Sequence, residues 1–218
     1  MFGFFKKMFS PNPASPEKAR RKTFTQNEIL NDDWHDTTFP YQATILNIQR
    51  ANRSYGSTCQ IAIRYIENCK YKDYIRLVKP NTKSFSFEKY HGITQEDVAD
   101  SPNFSDIWET IQPYFNNKNI VTYFADSHIK ALKTTLNKNH IPLPSMNVID
   151  LYEYFSEYHE NWNSLSLDFV AEKLNTNSDP NPKRAKYTLD TINELLEIIY
   201  KKRPGRLKKM FNIKNNKK

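Results

Sequence analysis

Three bursts of branched and aromatic residues open the body of the chain: YQATILNIQ (41–49), TCQIAIRYIE (58–67) and YKDYIRLVK (71–79). Partial alternation of apolar and polar positions predicts a β-strand in each. The short ENCK connection predicts that the last two pair as an antiparallel hairpin. From residue 103 the period lengthens. NFSDIWETIQPYF (103–115) sets Phe104, Ile107, Trp108, Ile111 and Phe115 on one face of a helix. NIVTYF (119–124) predicts a short strand, and DSHIKALKTTLNKNH a helix capped by Asp126 or Ser127 with Ile129, Leu132 and Leu136 inward. NVIDLYEYFSEYH repeats the strand-to-helix pattern, and SLSLDFVAEKLN (164–175) adds a short helix. KYTLDTINELLEIIYKK (186–202) is a long final helix whose buried stripe is Leu189, Ile192, Leu195, Leu196 and Ile199. A meander followed by alternating strands and helices specifies one α/β domain on a mixed sheet, over residues 38–202.

Composition narrows the chemistry. The 218 residues leave room for one domain with a core plus tails. Only four glycines occur, and neither GxGxxG nor GxxxxGK[ST] is present, so a glycine-rich nucleotide loop is excluded. Cys59 and Cys69 flank a predicted strand and suit a reduced, intracellular chain. No stretch approaches the roughly 18 to 20 apolar residues of a membrane span. The opening MFGFFKKMFS lacks the apolar run and cleavage site of a secretion signal, so a cytoplasmic location is expected.

The net charge of +8 is unevenly distributed. Residues 1–22 hold six Lys/Arg against one Glu, residues 201–218 hold nine with no acid, and the stretch between carries −6. Residues 1–37 read as a basic, aromatic peptide followed by a proline-rich linker, and 203–218 as a basic tail. Lys201, Lys202, Arg203, Arg206, Lys208 and Lys209 suit nucleic-acid phosphates. Phe2, Phe5, Met8 and Phe9 beside Lys6 and Lys7 suit an anionic membrane surface or a partner's groove.

One strand carries the sharpest signal. In ATILNIQR the only amides are Asn47 and Gln49, two apart and therefore on one strand face. As Asp and Glu they would mark a metal-dependent nuclease. Around them ANRS…CQIAI, HGIT (91–94), VTYFADSHIKAL, VIDLY (148–152), SLSLDFVAEKLN and KRAKYTLDTINELL stand in an order that resembles the DnaQ-like, or DEDDh, 3′-to-5′ exonucleases. The resemblance implies an RNase H-like fold. It also implies a site in which four carboxylates hold two divalent ions, Mg²⁺ or Mn²⁺, and a histidine activates water. In this sequence the carboxylate positions of that site fall on Asn47, Gln49, His128 and Thr188, and the histidine position on Lys183. All five differ from the family pattern.

Nearby acids do not restore the set. Reading Asp190 as the last carboxylate moves Thr191, Glu194 and Glu197 onto the apolar stripe of the final helix. Asp126 reads as a helix cap, and Asp150, Asp168 and Glu172 lie where the resemblance implies support of the fold or a solvent-facing position. The resulting expectation is a pseudo-exonuclease with no metal or other cofactor, binding single-stranded or 3′-ended nucleic acid or a protein partner. Lys183 is a candidate phosphate contact. The competing expectation is a metal-dependent 3′-to-5′ exonuclease with non-standard ligands.

Overall fold

Strand β2 (Ala43–Arg50) is the axis of the molecule, because its two faces serve two separate cores. In the computed structural model, which describes residues 33–159, 161–178 and 185–212, β2 lies inside a six-stranded sheet. The other strands are β1 (His35–Asp36), β3 (Thr58–Glu67), β4 (Lys70–Leu77), β5 (Lys118–Thr122) and β6 (Met146–Asp150), in the order β1-β4-β3-β2-β5-β6. β2 to β4 form the antiparallel meander, and β5 and β6 add to the free side of β2 in parallel. The expected mixed sheet flanked by helices is present.

Helices cover both faces. Ala43 and Ile45 of β2 meet α4 (Leu151–Tyr158), α5 (Leu167–Lys173) and α6 (Ala185–Lys202), while Leu46 and Ile48 meet α2 (Phe104–Ile111) and α3 (Ala125–Lys138). A short α1 (Glu88–His91) lies over the β2–β3 turn. The stripe from Leu189 to Ile199 on α6 is buried throughout. The hairpin turn is tighter than its sequence advertises: Glu67 pairs with Lys70, and Asn68 and Cys69 both sit at positive φ, 53° and 58°. Two-residue hairpin loops of type I′ require that geometry.

Two expectations change. The start of α3 is Phe124, at φ +67° and with no side-chain cap, so neither Asp126 nor Ser127 caps it. Asp150 does so from the next strand, accepting from Phe124 N (3.0 Å) and Ala125 N (2.7 Å) while also accepting from Tyr152 N at the start of α4 (2.9 Å). One carboxylate thus anchors two helix N-termini.

Packing also continues past residue 202. Helix α7 (Pro204–Met210) buries Leu207, and Phe211 behind it packs on Phe39 and Tyr41. The segment read as a tail is in part a wall of the domain. The N-terminal peptide (residues 1–32), Lys183 and residues 213–218 lie outside the described residues. Cys59 is buried, Cys69 is exposed, and both are free. Among the described residues no helix is long and apolar enough to cross a membrane.

Candidate functional site

At its C-terminal end β2 separates from β5, since their ladder pairs only Thr44 with Ile120 and Ile45 with Val121. Backbone groups beyond that point need other partners. The Nδ1 atom of His128, from the first turns of α3, accepts the Ile48 N–H at 3.1 Å, and the same ring hydrogen-bonds the Tyr123 backbone. The imidazole is therefore a bridge between diverging strands. Accepting an N–H requires the neutral ring, and burial, helped by the nearby Arg50 cation, pushes its pKa down to about 4.

Asn47 and Gln49 flank Ile48 on the opposite, α6-facing side, and Gln49 Nε2 donates to Asn47 Oδ1 at 3.2 Å. Asn47 is buried and Gln49 half-buried. Just past them the register with β3 shifts between Gln49 and Arg50, bending the strand as a bulge does. Thr188 is half-buried in the first turn of α6, the helix that packs on this face of β2. The structure thus brings Asn47, Gln49 and His128 to one end of β2, with the start of α6 packed over the same face.

Of the acids considered from sequence, Asp190, Asp150 and Asp168 are engaged elsewhere, and Asp126 and Glu172 are exposed. Asp190 binds the guanidinium of Arg64 at 2.6 Å, and the same guanidinium is held by both oxygens of Asp73 at 2.7 Å and lies 3.8 Å from the centre of the Tyr71 ring. Arg64 is buried on the α6 side of β3, a contact that sequence reading missed. Its signal was present: Arg64 shares the parity of Ala62 and Ile66 in TCQIAIRYIE, so it faces a core and needs counterions. Asp150 holds three backbone N–H groups, and Asp168 accepts from Tyr187 Oη at 3.1 Å.

A pair of divalent ions requires anionic oxygens. The donors at the end of β2 are two amides bonded to each other and an imidazole with its Nδ1 occupied, so they do not fit such a pair. Among the described residues no three His, Cys, Asp or Glu side chains group as a metal site. Arg50 adds a cation beside them, with its guanidinium 4.4 Å from the centre of the Tyr55 ring.

HGIT works as a clamp on this end. His91 Nε2 lies 3.0 Å from the Arg50 carbonyl, and its Nδ1 accepts from Ile93 N. Gly92 takes φ +75° to end α1, Ile93 is buried, and Thr94 and Asp97 hydrogen-bond reciprocally.

The candidate nucleic-acid contacts Lys201, Lys202, Arg203, Arg206, Lys208 and Lys209 are not brought to this end. Thr188 and Lys202 occupy opposite ends of α6, about 21 Å apart at 1.5 Å per residue. α7 correspondingly packs on Phe39 and Tyr41, ahead of β2, through Phe211.

Comparison with known proteins agrees with this architecture. The family model for RNase T exonucleases matches residues 57–186, a span that begins after Asn47 and Gln49 and ends before Thr188. No curated protein matches by sequence. Among solved structures, the nuclease domain of 3′hExo, a DEDDh family member bound to rAMP, superposes with a TM-score of 0.61 at 13% identity, over 76% of this chain and 95% of that one. Exonuclease I in complex with the inhibitor BCBP gives 0.63 at 11% identity, over 79% of this chain and 43% of that one. The RNase domain of yeast Pop2 gives 0.53 at 14% identity, over 73% and 78%. At such identities these likenesses establish the fold.

Proposed function

We infer that this chain, which belongs to the RNase T exonuclease family, does not cleave phosphodiesters and serves as a binding module for single-stranded nucleic acid. One observation carries the reading: where the resemblance implies anionic metal ligands, Gln49 donates to Asn47 and His128 spends its Nδ1 on the Ile48 N–H. Amide oxygens bind Mg²⁺ weakly without anionic company, and the Arg50 charge opposes a dication. Loss of a general base alone costs about 10² to 10⁴ in rate, and loss of the metals removes the charge stabilisation of the attacking and leaving oxygens on which in-line displacement depends. Binding survives such losses, because phosphate contacts rest on cations and base contacts on rings.

The deciding experiment incubates the full chain with end-labelled single-stranded DNA and RNA in Mg²⁺ or Mn²⁺. Intact 3′ ends and a retained, salt-sensitive complex are expected. Metal-dependent loss of 3′ nucleotides, abolished by chelation, overturns the reading and restores an exonuclease with non-standard ligands. A chain that neither cuts nor retains the strands points to a protein partner, the role illustrated by another fold neighbour, CAF1, which was co-crystallised with the NOT1 MIF4G domain (TM-score 0.52).

A further inference from the structure

We propose that the single strand binds at the pole formed by the ends of α4 and α6 and by α7, opposite the Asn47–Gln49–His128 centre. The proposal rests on the nucleic-acid reading above and locates its contact surface. Lys201, Lys202, Arg203, Lys208 and Lys209 are all exposed there, and residues 201–212 contain no acid. Glu157 pairs with Arg206, the one cation of the group that is half-buried.

These cations sit on fixed structure. Leu207 and Phe211 are 0% and 3% exposed, so α7 is held against the core while its lysines face outward. The Arg203 guanidinium lies 4.3 Å from the centre of the Tyr158 ring, and that of Arg206 at 5.5 Å. Next to them His159 and Trp162 stack at 3.8 Å with an 18° tilt, both half-buried. Burial lowers the pKa of His159, and the Arg203 and Lys202 cations are close enough to lower it further. Rings within reach of several cations are the combination that takes bases and phosphates of an unpaired strand together.

The same packing argues against an anionic membrane as the occupant. A helix lying on a bilayer offers it an apolar face, and the apolar residues Leu207 and Phe211 are already consumed by the core. A duplex leaves no base faces for the rings.

The test measures fluorescence anisotropy of labelled oligo(dT) and oligo(U) with the full chain. Arg203→Glu/Lys208→Glu/Lys209→Glu is expected to weaken binding about tenfold or more and to lower the salt slope by about one for each phosphate no longer neutralised. The milder Lys208→Gln/Lys209→Gln, at exposed positions, is expected to weaken it in the same direction with an unchanged melting temperature, which separates binding from folding. Arg50→Glu/Lys130→Glu, which reverses the two cations lying over the Tyr55 ring just past the other end of β2, is expected to change affinity less than about twofold, well short of the ~1.4 kcal/mol that a tenfold loss represents. Loss of binding in that pair with wild-type affinity in the α7 variants overturns the proposal and leaves the nucleic-acid reading standing. Failure of the wild-type chain to bind either oligonucleotide at low salt removes that reading as well. Capture of phosphatidylserine vesicles in place of oligonucleotides, abolished in the α7 variants, assigns the pole to membranes and overturns the proposal.

Discussion

His128 shows how one side chain changes meaning once its neighbours are known. As a bridge between Ile48 N and the Tyr123 backbone it is structural, and its neutrality links it to stability. The unfolded chain takes up a proton near pH 6.5 that the folded chain refuses until about pH 4. The contribution is therefore intact above 6.5 and lost as pH falls toward 4. At about 1.4 kcal/mol per pH unit it amounts to something on the order of 3 kcal/mol. Denaturant midpoints measured from neutral to acidic pH should fall less steeply in His128→Gln than in the native chain, and parallel acid limbs would remove this role. Arg64 is the second such residue. Arg64→Met leaves Asp73 and Asp190 with Lys186 as their remaining cation among the described residues and should cost about 3 to 5 kcal/mol in urea unfolding. A cost under about 1 kcal/mol would mean that the network is solvated.

At the scale of elements, the joints are specified by single residues reaching across the chain. Asp150 joins the N-termini of α3 and α4, so Asp150→Ala frees three backbone N–H groups and should cost about 1 to 3 kcal/mol. Hydrogen exchange should show the first turns of both helices opening together. Exchange confined to α4 would show that α3 starts without it. The β3–β4 hairpin offers the reverse case. Cys69 is exposed at φ +58°, a conformation that costs an L-residue about 1 kcal/mol and glycine little. Cys69→Gly should accordingly raise the melting temperature. Element existence was legible because burial imposes period 2 on the strands and 3.6 on the helices. All five positions of the α6 stripe are buried as expected. The start of α3 was not legible, since its cap comes from Asp150, 25 residues away in the chain.

For the whole molecule, the consequential fact is polarity: Asn47, Gln49 and His128 occupy one end of β2, and the cations of α6 and α7 the other. Deleting residues 203–218 is therefore not a clean test of binding. It removes buried Leu207 and Phe211, each worth about 1.5 to 3 kcal/mol, and should lower the melting temperature. An unchanged melting temperature would return the segment to the status of a tail. The fold class and the absence of carboxylates at the positions implied by the resemblance follow from residue identity and period, which are local properties, whereas burial of β2 on both faces is seen only once α2, α3 and α6 are in place. Tertiary structure alone decided that His128 closes a gap between strands, that Arg64 gathers Asp73 and Asp190, and that the basic segment folds onto the far pole. Each depends on which distant groups meet, and the spacing of residues along a chain does not encode that.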